Sequence, residues 1–205
     1  MRVWRICRKP YVATALDGIG GMYTAGRWHT KGHPIVYTAT SAALAALEVL
    51  VHVDPLTAPT DLRLLAIELP DDLTTEVLEL VSLPEGWHSV PAPASLQSIG
   101  SSWLTSGRTA ALNVPSAIIT VERNVLLNPR HPETQRIRIS SDEALTFGTR
   151  SGVVIQQRSI PPLNVDQLAT IGITIVDNRL KDPAAVMASR HRGDGRSRPA
   201  PENPR

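Results

Sequence analysis

The sequence predicts an α+β fold: a single sheet-bearing domain with scattered helices and a disordered C-terminal tail. Three observations carry this. Short β-prone runs outnumber helical ones, and the helical runs fall between them without regular βα alternation. Hydrophobic residues make up 42% of the 205, with charged residues at 20%, the balance of a water-exposed globule. Aromatics are only 4%, with one phenylalanine, so the core must be built from Leu, Val, Ile and Ala. A body of about 150 residues buries roughly 70% of its unfolded surface, so neither a disulfide nor a metal is needed to hold it together.

The elements follow in chain order. Val3-Trp4-Arg5-Ile6 is a short strand candidate. Gly18-Ile19-Gly20-Gly21 reads as a flexible loop, because glycine at this density favours turns. Pro34 to Thr38 reads as a strand. Thr40 or Ser41 then caps a helix from Ala42 to His52, rich in Ala and Leu. Leu62 to Leu69 is an apolar strand ended by Pro70. Ser95 to Ser106 has helical character with Gly107 as its stop. Ala117 to Val121 reads as a strand, and Asn128-Pro129-Arg130-His131-Pro132 as a turn, since two prolines prevent regular pairing. Arg136 to Ile139 alternates and closes the body near Phe147. The chain thus divides into a body over 1–150, an extension over 151–180 and a disordered basic tail over 181–205. In the extension, Val153-Val154-Ile155 and Ile171 to Val176 look like strands, yet Pro161-Pro162 interrupts them. The tail has no apolar periodicity.

Charge and cysteine content exclude several classes. The net charge is +2. Residues 181–205 contain six basic and three acidic side chains, so the other 180 residues sum to −1. A folded basic patch of the kind that binds nucleic acid is therefore not expected, and direct nucleic-acid binding would fall to the arginine-rich tail. No apolar run is long enough to span a bilayer, and the basic start lacks the apolar stretch of a signal peptide. Cys7 is the single cysteine, which excludes an internal disulfide or a zinc ribbon. The cytoplasm is the expected compartment.

Glu48 is the most informative position for chemistry. It lies one turn after Leu44 and one turn before Val51, on the apolar stripe of the Ala42–His52 helix. A carboxylate there must be paired or look into a cavity. From a cavity wall it can stabilise a developing cation or orient a hydroxyl. Arg27, in Gly26-Arg27-Trp28, follows a glycine-rich loop that lets backbone approach a ligand. Its guanidinium can fork onto phosphate, or simply stack on Trp28. Tyr37, at the end of a strand, is either a stacking platform or a half-buried strand tyrosine. Ser116 lacks the flanking glycines of a nucleophile elbow, but its hydroxyl can bond a ligand or brace Glu48. His29 and His33 are spaced i, i+4, yet Gly32 and Pro34 oppose a helix there, so no metal site is expected. Neither a P-loop nor a Rossmann fingerprint is present.

The order of these residues goes further. Gly26-Arg27-Trp28-His29-Thr30-Lys31-Gly32-His33-Pro34-Ile35-Val36-Tyr37-Thr38-Ala39, followed by Leu44-Ala45-Ala46-Leu47-Glu48-Val49-Leu50-Val51-His52, resembles the first half of the RES domain, a family named for its arginine, glutamate and serine. Leu112-Asn113-Val114-Pro115-Ser116-Ala117 and Glu122-Arg123-Asn124-Val125-Leu126-Leu127-Asn128-Pro129-Arg130-His131-Pro132 resemble the second half. The likeness covers residues 2–147. It departs where His29 replaces an asparagine, where Ala25 replaces a glycine, and after Phe147. The resemblance implies a fold similar to ADP-ribosyltransferase toxins. It also implies a toxin that consumes NAD by hydrolysis, phosphorolysis or ADP-ribose transfer to a protein, without a metal. It implies that Glu48, Arg27 and Ser116 are catalytic, and that Arg27, Tyr37, Ser116, Trp28 and Asn124 contact NAD. Arg27 would take the diphosphate, Tyr37 would pack on the nicotinamide, and Glu48 would face the cationic ribose. A cognate antitoxin is the implied partner, with nucleic acid reached only through it and no membrane involved. The alternative is an inactive RES-like domain that only binds its antitoxin.

Overall fold

A computed structural model describes residues 1–53 and 59–147. Among them are seven strands: β1 (Arg2–Arg8), β2 (Val36–Ala39), β3 (Leu62–Glu68), β4 (Thr75–Val77), β5 (Ala111–Pro115), β6 (Arg123–Leu127) and β7 (Arg138–Ala144). They form one sheet in the order β4-β5-β6-β2-β1-β3-β7. All neighbours are antiparallel except β4 and β5. Three α-helices accompany it: α1 (Gly20–Tyr23), α2 (Ala42–Leu50) and α3 (Ala94–Ser106). The expected α+β class is what the chain adopts.

Side-chain alternation along the strands sorts the apolar residues onto two faces. One face carries Val3, Cys7, Val36, Leu65, Ile67, Val125 and Leu127, and is covered by Ala15, Leu69, Leu73 and Ile137. The other carries two separate clusters. Leu44, Ala45 and Val49 of α2 pack on Ile6, Ala39 and Leu62. Leu96, Trp103 and Leu104 of α3 pack with Trp28 and Ile35 on Leu112, Val114 and Leu126. Residues of both clusters line a cleft on this face.

Strands β1 and β2 pair only at Trp4 opposite Ala39. Where they separate, the Arg5 guanidinium donates to the Tyr37 carbonyl at 2.9 Å, replacing a lost ladder bond with a side-chain one.

Ser41 is the cap of α2: its hydroxyl accepts from the Leu44 amide at 3.1 Å. The helix stops at Leu50, short of His52. Helix α3 ends as expected on Gly107, which adopts φ +58°.

Several sequence expectations are corrected. Residues 117–121 do not form a strand. They make a turn between β5 and β6 in which the Ser116 hydroxyl accepts from the amides of Ile118 and Ile119, so the amides are bonded locally and Val121 is left 89% exposed. The strands are the flanking segments, and the β-branched run between them is a surface turn. Gly18–Gly21 is not merely a flexible loop, since Gly20 opens the single turn of α1. A Cβ on Gly21 would sit 2.1 Å from the His33 carbonyl, so this glycine serves close approach. Strand β7 begins at Arg138, because Pro132–Arg136 forms a 3₁₀ turn first. Strand β2 begins at Val36, two residues after Pro34. The strand candidates at 153–155 and 171–176 and the tail expected to be disordered lie outside the described residues.

Gly100 of α3 carries a second close approach. A Cβ there would fall 1.8 Å from the Trp28 carbonyl oxygen. Gly100→Ala must push the helix from the 26–30 segment and is expected to cost about 1–3 kcal/mol or more, as overpacking does. Gly107→Ala has nothing within 4 Å and pays only left-handed backbone strain, about 1–2 kcal/mol. Denaturant midpoints of the two variants check the order; equal losses would show that α3 slides freely over Trp28.

Candidate functional site

The cleft is lined from four directions. Strand β1 gives Trp4, β2 gives Tyr37 and Ala39, α2 gives Ala45 and Glu48, and β6 gives Asn124. Arg27, Trp28, His52, His88, Val90 and Ile118 complete the wall.

Glu48 is held as its position on the apolar stripe requires. Its Oε1 accepts from Ser116 Oγ at 2.9 Å and from Asn124 Nδ2 at 2.7 Å. Its Oε2 has no hydrogen-bond partner among the described residues. Ser116 is fully buried, and its hydroxyl is saturated: it donates to Glu48 while accepting from Ile118 and Ile119. The sequence alternatives for Ser116 were a ligand contact or a brace for Glu48, and the geometry is that of the brace. Asn124 likewise turns its amide to Glu48. It faces the cleft because β6 alternates, putting Asn124 and Leu126 on the opposite face from Val125 and Leu127.

Arg27 does not lie on Trp28. Its NH1 donates to the Trp87 carbonyl at 2.6 Å, and NH1 and NH2 both reach the Ser89 carbonyl at 3.2 Å. Nε and part of NH2 remain for another acceptor. Burial pulls the guanidinium pKa below its ordinary value, and the charges of Glu48 and Tyr37 oppose the shift. Trp28 is 2% exposed and belongs to the α3 cluster; it borders the cleft as core.

Tyr37 reaches from the cleft floor to His29, whose Nδ1 lies 2.8 Å from the phenol oxygen. Burial raises the tyrosine pKa above its usual range. Arg27, Trp28, Tyr37, Glu48 and Asn124 thus line one cleft, and Ser116 lies buried beside it, bonded to Glu48.

Sequence reasoning did not single out Trp4, His52 or His88 for this site. For His52 a signal was present: it lies four residues after Glu48. Its Nε2 is buried without a partner among the described residues. Burial lowers its pKa to about 4, with the nearby Arg27 charge adding to the effect. His29 is also lowered to about 4, chiefly by burial. His33 is bonded to Thr30 through Nδ1. Among the described residues no three His, Cys, Asp or Glu side chains gather as a metal site, and no helix is long and apolar enough to cross a membrane.

A sequence profile of the RES domain matches residues 2–148. A protein named Toxin Res from Photorhabdus laumondii is 40% identical over 155 residues, 75% of this chain and 97% of that protein. Toxin Res from Yersinia enterocolitica is 39% identical over 147 residues, 72% of this chain and 95% of its own length. A Prs ADP-ribosylating toxin from Sphingobium sp. is 43% identical over 139 residues, 66% of this chain and 86% of that one. Among solved structures, a chain of the M. tuberculosis MbcT–MbcA toxin–antitoxin complex superposes with a TM-score of 0.58 at 18% identity. The match covers 71% of this chain and 84% of the other, a likeness of fold.

The two depressed imidazoles fix a pH response. Their folded pKa of about 4 lies below the ordinary 6.5, so between these values the unfolded chain binds more protons than the folded one. Stability is full above about pH 6.5 and is lost as pH falls toward 4. Melting temperature should be flat from pH 8 to 7 and drop by several degrees by pH 5. A melting temperature that holds or rises over that lower interval would mean that the histidines are not buried in neutral form.

Proposed function

Because the chain belongs to the RES domain family, we propose that it is a toxin-type enzyme that binds NAD in the cleft. There it breaks the bond between nicotinamide and ribose. The ADP-ribosyl group then passes to water, phosphate or a protein side chain, and a cognate antitoxin neutralises the enzyme in the cytoplasm.

The observation that carries this reading is the half-satisfied carboxylate of Glu48. Two neutral donors pin Oε1, and Oε2, at the wall of the cleft, has no hydrogen-bond partner among the described residues. When the nicotinamide leaves, it leaves neutral, and positive charge builds on the ribose. A fixed carboxylate on that side stabilises the cation without having to reorganise. Ser116 and Asn124 act through Glu48 in this scheme: they set its direction and keep it from folding onto the helix. Arg27 supports the diphosphate with the donors that the Trp87 and Ser89 carbonyls leave over. Tyr37 offers its ring to the nicotinamide. Each of these steps uses protein groups and bound substrate.

Glu48→Gln is nearly isosteric and removes the charge. It should fold as the parent does and lower NAD turnover about 10²–10³-fold. Asn124→Ala should lower turnover less, with most of the effect on kcat, because it removes one of the two donors to Oε1 without deleting the charge. Nicotinamide release measured by chromatography checks both. Turnover by Glu48→Gln within a few-fold of the parent removes Glu48 from the chemistry. A parent that leaves NAD intact supports instead a domain that acts only by binding its antitoxin.

A further inference from the structure

We infer that His29 is a positioning residue of the cleft: it fixes Tyr37 so that the tyrosine meets its ligand with the ring face and withholds its hydroxyl. The inference rests on the reading of the cleft as an NAD site.

The direction of each hydrogen bond can be worked out. His29 Nε2 lies 3.1 Å from the Thr24 carbonyl oxygen. A carbonyl only accepts, so Nε2 carries the proton and Nδ1 carries the lone pair. Tyr37 Oη lies 2.8 Å from that Nδ1, so the phenol proton must point to it. The phenol oxygen in turn accepts from the Trp28 amide at 3.2 Å. The hydroxyl therefore gives its one proton to His29 and takes one from the backbone, leaving no proton for a ligand.

The surroundings hold this arrangement in place. His29 is 3% exposed, and the two rings stand 5.6 Å apart at 53°. A Cβ on Gly26 would come within 2.7 Å of both the Tyr37 hydroxyl and the His29 ring, so the space between strand and loop is already full. An imidazolium would carry a proton on Nδ1 and could not accept from the phenol. Burial disfavours that form.

The consequence is one of specificity. A tyrosine whose hydroxyl is committed inward recognises a flat heteroaromatic ring by stacking and does not read the ring's hydrogen-bonding pattern. His29 touches no ligand; it acts through Tyr37. The helix α3 contributes at one remove, since Gln97 Nε2 donates to the Gly26 carbonyl at 3.0 Å and Ser101 Oγ accepts from the Thr30 amide at 2.9 Å, anchoring the segment on which His29 stands.

Two amide substitutions separate the role from plain stability. In His29→Asn the side-chain oxygen lies where Nδ1 was and still accepts from Tyr37. In His29→Gln the side-chain nitrogen lies where Nε2 was and still donates to Thr24, while the bond to Tyr37 is lost. Each variant loses one hydrogen bond, so thermal stability should fall similarly in both. With the full-length protein, His29→Gln should raise the KM for NAD about tenfold at nearly constant kcat, and His29→Asn should stay within about twofold of the parent. Tyr37→Phe should raise KM as His29→Gln does, and combining the two should add little. Equal KM for the Asn and Gln variants would overturn the inference. So would a Tyr37→Phe variant that loses kcat tenfold or more, since the hydroxyl would then belong at the reacting centre. A parent without NAD turnover counts against the NAD reading alone. The relay is then tested by nuclear magnetic resonance of the imidazole nitrogens and the Tyr37 hydroxyl. A slowly exchanging hydroxyl proton lost in His29→Gln supports it, and a freely exchanging one refutes it.

Discussion

A carboxylate on the apolar face of a helix needs partners, and the site is organised around supplying them to Glu48. Helix α2 buries Leu44, Ala45 and Val49, which fixes its rotation and turns Glu48 to the sheet. There Ser116 at the end of β5 and Asn124 on β6 both donate to one carboxylate oxygen. Removing either donor leaves a partly buried charge less well compensated. The same joint ties α2 to the two strands that carry the far wall of the cleft. It therefore sets both the shape of the site and the direction of its charge.

The other wall depends on backbone proximity. Segment 26–30 lies so close to α3 that only glycine fits at position 100, and it carries Arg27, Trp28 and His29 in three consecutive positions. Trp28 anchors it in the core, and the flanking side chains reach to either side: Arg27 to the Trp87 and Ser89 carbonyls, the buried His29 to Tyr37. Arg27 of this segment and the Tyr37 ring that His29 contacts thus border the same cleft as Glu48, and the proposed NAD reading makes use of that arrangement.

Much of this was legible in the sequence, for identifiable reasons. Strands β1 and β3 and helices α2 and α3 carry strong local signals: apolar runs, a Ser cap and a left-handed glycine stop. Glu48 stood out because helical periodicity places it among apolar neighbours, and Ser116 was already a candidate brace. Strands β5 and β6 were not recognised, and the turn between them was read as a strand over 117–121. That turn is apolar, and the hydrogen bonds that make it a turn come from Ser116, not from glycine or proline. Strand β4 was missed since three residues paired with β5 leave no periodicity to read. The roles of Asn124 and His29 could not be read from spacing, because each depends on a partner across the fold. Asn124 is 76 residues from Glu48 in sequence, and His29 acts across a loop-to-strand contact.

In the proposed function the Glu48 face of the cleft attends one bond, that between nicotinamide and ribose. The most direct measurement is identification of the products when NAD is incubated with the purified full-length protein, with and without added phosphate. Free nicotinamide should be released in step with NAD loss, with the remaining ADP-ribose free, phosphorylated or attached to protein. Adenylate and nicotinamide mononucleotide as products would show cleavage at the diphosphate instead, and would contradict the assignment of Glu48 to the ribose.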